Sequence, residues 1–427
     1  MRRNNASTRF YHNLTTRYNV YFHGKNAFDE TYNSFVASYS ESYSRQIFLD
    51  PIEAQRGALK EQKGGAFDPA LAKGQTAIKL HSIRTKPERK GRPSAREAEF
   101  YKRREYNTFL HNAWLLVGKS QFYNGDFLDA MATFSYRSRL YATEPAIRDE
   151  ARLWQARSYT AMGWLHEAEE MIRTLQTDAS YLRKSQVYDK TLAEVALSKE
   201  RIDEAIEPLR RAIAKEESRT EKLRMRYLLG QLLVRSGRPG EAQKVFRSLL
   251  SKTPPFALEF ATQLRLVEIE AERNVRRAIT TTEKMARRGR NKEVLDRLYL
   301  TQGDLYLRQL DSLSALKSYN LGVEKSTEHG GDFALCAVAA GHIYLAKRDW
   351  DEAQKSFATG VAALPKSHPK SEEYTTLSKQ LDALALHVRA VAEQDSLRHL
   401  ASLPEVEKFR IIDSAIAAYE KAQRARA

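Results

Sequence analysis

Apolar side chains recur along most of this chain at spacings of three and four residues, the signature of helices with one buried face. The pattern itself repeats. Ala130, Ala168, Ala205, Ala242, Ala278, Ala315 and Ala353 stand 38, 37, 37, 36, 37 and 38 residues apart. A small residue precedes each alanine by twelve positions in most copies: Gly118, Gly230, Gly303 and Gly341, with Ala156 and Ala193 as substitutes. A bulky one follows by four: Phe134, Ile172, Leu209, Phe246, Tyr319 and Phe357. Two helices cross closely where one offers a small residue to a large one on its neighbour, so each copy predicts a helical hairpin. Gly125, Gly163 and Gly237, five before their alanines, predict the turns, where positive φ favours glycine. The copy at Ala278 is degenerate, with Arg273 in place of the turn glycine and Thr282 in place of the bulky partner.

The frame resembles the tetratricopeptide pattern, stretched from its usual period by longer connections. It predicts an all-α helical solenoid of about seven repeats. Pattern divides the chain into an aromatic-rich helical region with a basic linker (1–93), the repeats (94–370), and capping helices with a charged tail (371–427).

Outside the repeats, Phe28, Tyr32, Phe35, Tyr39 and Tyr43 form a helical stripe. It reads as a core seam against a helix holding Tyr18, Tyr21 and Phe22, with His23-Gly24 as the turn between them. Gly64 and Gly65 interrupt the next stretch, and Asp68-Pro69 opens a helix to about Ile83. Ser94 with Glu97 reads as a capping box. Leu364-Pro365 and His368-Pro369 end the array. Residues 372–398 predict a capping helix, and residues 405–424 a last, charged one.

The 427-residue chain carries 70 basic and 54 acidic side chains, a net charge of +16. Arg84, Lys86, Arg89, Lys90 and Arg92 concentrate part of the excess, as do Lys102, Arg103 and Arg104, and Arg287, Arg288 and Arg290. Such a balance fits acidic partners as well as solvated helix faces. No RNP signature, zinc knuckle or recognition helix occurs, so no nucleic acid is expected. Cys336, the single cysteine, excludes an internal disulfide framework and reads as a buried packing residue. His12 and His23 lack ligand-spaced company and read as structural. No phosphate loop, nucleophile elbow or metal-binding pair appears. No enzymatic activity, metal or cofactor is expected.

A solenoid binds through the face built by the first helix of each pair. In the register of the alanines, the groove positions are Lys119, Phe122, Tyr123, Arg157, Arg224, Tyr227, Arg235 and Arg308, as candidates for gripping an acidic or extended protein segment. The Lys/Asn pair by which some chaperone adaptors hold a terminal carboxylate is absent, with Leu115 and Lys119 in its first two places.

The run Phe10-Tyr11-His12-Asn13-Leu14-Thr15-Thr16-Arg17-Tyr18-Asn19-Val20-Tyr21-Phe22-His23-Gly24 carries a further resemblance. With His81-Ser82-Ile83, Ala113-Trp114-Leu115-Leu116 through Thr133-Phe134-Ser135-Tyr136, Asp395-Ser396-Leu397 and Leu403-Pro404-Glu405, it resembles the PorW/SprE lipoproteins of the Bacteroidota type IX secretion system over almost the whole chain. The resemblance implies a non-catalytic periplasmic scaffold on the inner leaflet of the outer membrane. Its implied partners are protein components of the secretion machinery, the outer-membrane translocon and the periplasmic ring, and its implied roles are secretion and, in gliding species, motility. Members carry an acylated cysteine shortly before the aromatic signature. Here only Met1–Arg9 precede Phe10, so the implied lipid anchor would lie upstream of Met1, unless the start is misassigned or this member is not lipidated. Met1–Asn5 hold no apolar segment, which as written predicts no export signal. The alternative reading is a cytoplasmic tetratricopeptide adaptor binding protein partners or RNA through its basic surfaces.

Overall fold

Helix hairpins account for nearly all of the structure. The computed structural model describes residues 4–39, 41–50, 65–88, 91, 93–178, 182, 185–366 and 368–426, and among these no β-strand occurs. Gly64, and Arg89, Lys90 and Arg92 of the basic linker, lie outside the described residues, as do Met1–Arg3 at the start. The helices group into two compact units, Met1–Arg265 and Leu266–Ala427.

The first unit begins with α1 (Ala6–Thr15), capped by the Asn5 side chain, which accepts from the Thr8 amide at 2.8 Å. A π-helical turn (Thr16–Val20) carries it directly into α2 (Tyr21–Ser38). The predicted turn at His23-Gly24 is therefore absent. Gly24 is a contact point instead: a Cβ there would lie 2.9 Å from Leu116 Cδ2 and 3.0 Å from Lys73 Cβ. A continuous helix cannot fold its seam back on itself, so Phe28, Tyr32 and Phe35 pack against Phe67 and Tyr123 rather than on Tyr18, Tyr21 and Phe22.

α3 (Asp68–His81) starts with Pro69 in its first turn, and α4 (Ala95–Lys102) starts at the predicted Ser94/Glu97 capping box. Four hairpins follow: α5 (Leu110–Asn124) with α6 (Phe127–Leu140), α7 (Pro145–Ala161) with α8 (Leu165–Asp178), α9 (Gln186–Ser198) with α10 (Ile202–Lys215), and α11 (Arg219–Arg235) with α12 (Pro239–Leu250). The small-to-large rule is met as predicted. A Cβ on Gly118 would stand 2.4 Å from Phe134 Cε1, and one on Gly230 2.3 Å from Phe246 Cε1. Where alanine replaces this glycine, the partner shrinks from an aromatic to an aliphatic side chain, as with Ala156 and Ile172 in one core cluster. Gly125, Gly163 and Gly237 take φ of 90°, 78° and 72°. The same left-handed turn persists without glycine at Glu200, Leu310 and Arg348.

α13 (Phe256–Ala271) runs across the boundary between the units. In the second unit, α14 (Val275–Ala286) is followed by a 3-10 turn (Gly289–Val294). Then come α15 (Leu295–Arg308) with α16 (Ser312–Lys325), and α17 (Gly331–Ala346) with α18 (Trp350–Ala363). α19 (Ser371–Ser402) covers the last hairpin through Tyr374 and Leu381, buried with Ala353 and Phe357. Its second half leaves Leu386, Val391 and Leu397 exposed, and α20 (Glu405–Arg426) exposes Val406, Phe409, Ile412, Ile416 and Tyr419. Cys336 is fully buried, its thiol 3.4 Å from the Asp296 carbonyl, and burial pushes its pKa up. It packs where Gly322 leaves room. In each unit consecutive hairpins stack in the tetratricopeptide manner, so the chain belongs to the all-α helical-solenoid class. No helix among the described residues is long and apolar enough to cross a membrane.

Candidate functional site

In the first unit, first helices of three hairpins carry the polar side chains Tyr123, Arg157 and Arg224, and a segment of the chain itself lies on them. On α11, Arg224, Tyr227, Gln231 and Arg235 follow one another at steps of three, four and four, which aligns them along one side of the helix. Residues 41–50 run past this row.

Arg224 holds the most of it. Its Nε donates to the Glu41 carboxylate at 2.5 Å, its Nη1 to the Leu49 carbonyl at 2.9 Å, and its Nη2 to the Phe48 carbonyl. The Tyr227 hydroxyl donates to the Tyr43 carbonyl at 3.1 Å. Gln231 reads both main-chain polarities, donating to the Arg45 carbonyl at 2.7 Å and accepting from the Ile47 amide at 3.1 Å. Arg235 reaches the Gln46 side chain, and Arg265 of α13 donates to the carbonyls of Tyr43 and Ser44, both at 3.2 Å. Ile47 and Leu49 are buried by this contact. The segment's far end meets the earlier hairpins: Asp50 accepts from the Tyr123 hydroxyl at 3.1 Å and lies 3.5 Å from Arg157. Arg157 also binds Glu194 at 2.8 Å and stacks over Trp154 at 4.6 Å. The segment thus crosses from α11 and α13 back to α5 and α7, held largely through its main chain.

Tyr123, Arg157, Arg224, Tyr227 and Arg235 are brought together on this one segment. Phe122 is not on an open face. It shares the i, i+4 side of α5 with Gly118, points into the hairpin core, and is fully buried against Phe127 and Trp154. Lys119 and Tyr123 occupy the adjoining side, where Lys119 sits 5.0 Å over the Trp154 ring and burial holds its ammonium below the usual lysine range. Arg308 belongs to the second unit and is exposed. Sequence reasoning missed Gln231, Arg265, Glu41 and Asp50. The signal for Gln231 was present, a polar residue in step with Arg224 and Tyr227 on a helix otherwise rich in leucine.

Around this groove, Glu105 ties two connections together. It accepts from the amides of Ile83, Tyr106 and Asn107 at 2.8, 3.0 and 2.9 Å, and from the Ser82 hydroxyl at 2.6 Å. His12 and His81 share a hydrogen bond between their Nδ1 atoms at 2.9 Å, which requires at least one neutral ring. Arg84 of the basic linker stacks 5.7 Å over Tyr136, and Arg103 pairs with Glu144 at 3.3 Å. Among the described residues, no three His, Cys, Asp or Glu side chains converge as a metal site.

No family model matches the chain, and no curated protein matches it. Solved helical-repeat structures do. A tetratricopeptide repeat protein from Parabacteroides merdae is 16% identical over 63% of this chain and 98% of its own, with a TM-score of 0.39. The C-terminal part of a TPR repeat-containing protein from Cytophaga hutchinsonii is 15% identical over 60% and 97%, with a TM-score of 0.42. Yeast Tom70 is 14% identical over 82% and 66%, with a TM-score of 0.35.

Proposed function

We propose that this chain is a non-catalytic protein–protein scaffold, and that it serves the type IX secretion system on the periplasmic side of the outer membrane. Stacked hairpins offer extended surfaces and rigid spacing, the physical equipment of an adaptor. The secretion reading rests on the resemblance of residues 10–24 and the later motifs to the PorW/SprE lipoproteins.

One observation carries it. Within that signature, Phe10, Leu14, Tyr18 and Phe22 recur every four residues along α1, the π-helical turn and the start of α2. They are 69%, 45%, 62% and 48% exposed. Large apolar residues left in water along one ridge mark a surface awaiting a protein partner. In this reading the ridge docks on the outer-membrane translocon, and the rest of the scaffold holds the periplasmic ring components at a fixed distance.

Deleting residues 10–50 would test this poorly, because Phe28, Tyr32 and Phe35 of the same segment fill the core. The informative variant is Phe10→Ser with Tyr18→Ser, which leaves that core intact. In cells it should lose co-purification of named translocon proteins while keeping its helical circular dichroism. Recovery of those proteins at the wild-type level, or of the wild-type protein in the cytoplasm alone, would overturn the reading.

A further inference from the structure

Where residues 49–50 end their path along the groove, they form one wall of a cavity of about 380 Å³. Its other walls come from α2, α5, α7, α9 and the start of α11, all within the first unit. Phe28, Tyr32, Tyr123 and Trp154 give it aromatic walls among a polar majority, and Phe28, Tyr32 and Lys119 each keep partial exposure, so the space communicates with solvent.

The charges on its lining are nearly all answered. Asp29 pairs with Lys25, Asp50 with Tyr123 and Arg157, Arg157 also with Glu194, Lys190 with Glu216 at 2.9 Å, and Glu221 with Arg224 at 3.7 Å. Lys119 is the main exception, beside the Glu221 Oε1, which is buried without a hydrogen-bond partner. Among the described residues Lys119 makes no ion pair and no hydrogen bond; its ammonium lies over the Trp154 ring, and the charges of Glu150 and Asp29 that favour it are opposed by Arg157 and Arg137. A partly buried ammonium with one π-face for company has all three donors unused. Its desolvation, already visible in the depressed pKa, is relieved by an anion at hydrogen-bond distance.

We propose that this cavity is a binding site for a carboxylate carried on an apolar group, with Lys119 as its counter-charge. A monoanion matches the one unpaired ammonium on the lining, whose other cations, Arg157 and Lys190, are already paired. The aromatic walls take the apolar body and Lys119 takes the carboxylate. This differs from the two-residue Lys/Asn grip that the sequence lacks, since the second contact is the indole of Trp154. The inference concerns a different surface from the aromatic ridge and does not depend on the secretion reading.

Two sources supply this chemistry, the C-terminus of a partner and an internal acidic side chain beside an apolar one. Three probe peptides separate them on the full chain: acetyl-Gly-Gly-Leu as the free acid, the same peptide as its amide, and acetyl-Gly-Glu-Leu-Gly-amide. Calorimetric titration should show saturable binding of at least one of the two acids, at least about tenfold tighter than the Gly-Gly-Leu amide. Lys119→Met should abolish that advantage. A preference for the free acid identifies a chain terminus, and a preference for the glutamate peptide identifies an internal site. Should the variant fold poorly, the wild-type chain still gives an answer. The favoured acid should shield Lys119 from acetic anhydride, read by mass spectrometry, and the amide should not. Absence of saturable binding of both acids up to about 10 mM, equal binding by Lys119→Met, or unchanged acylation of Lys119 would each overturn the proposal.

Discussion

The Arg224 guanidinium and the Glu41 carboxylate meet at 2.5 Å although 183 positions separate them in the chain, and both side chains are almost wholly buried. The same guanidinium holds the Phe48 and Leu49 carbonyls, so one side chain fixes both ends of the segment that fills the groove. Removing it leaves the buried Glu41 carboxylate without its counter-charge, with only the Tyr39 hydroxyl at 2.8 Å, and strands two carbonyls. Arg224→Ala should therefore cost about 3–5 kcal/mol, and Arg224→Lys should recover little, because an ammonium cannot span all three acceptors. Urea unfolding followed by tryptophan emission reads this, as Trp114, Trp154 and Trp164 lie in the first unit. A midpoint shift worth under about 0.5 kcal/mol would mean the segment is not held as described.

Gly230 and Phe246 make a second test. A methyl group on Gly230 would fall 2.3 Å from the Phe246 ring, and the ring is fully buried with nowhere to retreat. Gly230→Ala should cost about 1–3 kcal/mol through overpacking. Combining it with Phe246→Leu imitates the Ala156 and Ile172 pairing already used two hairpins earlier. The double variant should be more stable than the sum of the two single losses by at least about 1 kcal/mol. Strict additivity in the double-mutant cycle would count against the small-to-large rule.

His111 supplies a pH dependence. Burial first, and then the nearby Arg137, lower its pKa to about 4, while Glu150 opposes the shift. The unfolded chain binds this proton more readily than the folded one. The contribution of neutral His111 is therefore complete above about pH 6.5 and falls away as pH drops toward 4, by about 3 kcal/mol in all. Its Nδ1 has no hydrogen-bond partner, so His111→Leu removes the titration at small cost near pH 7.5. Urea midpoints at pH 7.5 and 4.5 should diverge less for the variant than for wild type, by about 2–3 kcal/mol at the acid end. Parallel losses in the two proteins would show that His111 does not carry this sensitivity.

Much of the architecture was readable because the relevant forces are local or repeat at a fixed interval. The hairpin frame from Gly118 to Phe134, the Ser94/Glu97 box and the buried Cys336 each follow from spacing along one or two helices. Gly24 shows the limit. A glycine in a turn and a glycine under a crossing helix look alike in sequence, and only the closeness of Leu116 and Lys73 distinguishes them. Phe122 shows another: a shift of one residue from Tyr123 turns a helical side chain by about 100°, enough to move it from groove to core.

By itself, then, the sequence determined that helices form and, within the repeats, how they pair and where the chain turns, because those outcomes depend on neighbours three to about forty residues away. The tertiary structure alone decided what occupies the inner face. Glu41 and Asp50 come to Arg224, Tyr123 and Arg157 from distant parts of the chain, and no periodicity records such a meeting. It arises because a row of desolvated donors on α11 is satisfied only by acceptors, and residues 41–50 bring them.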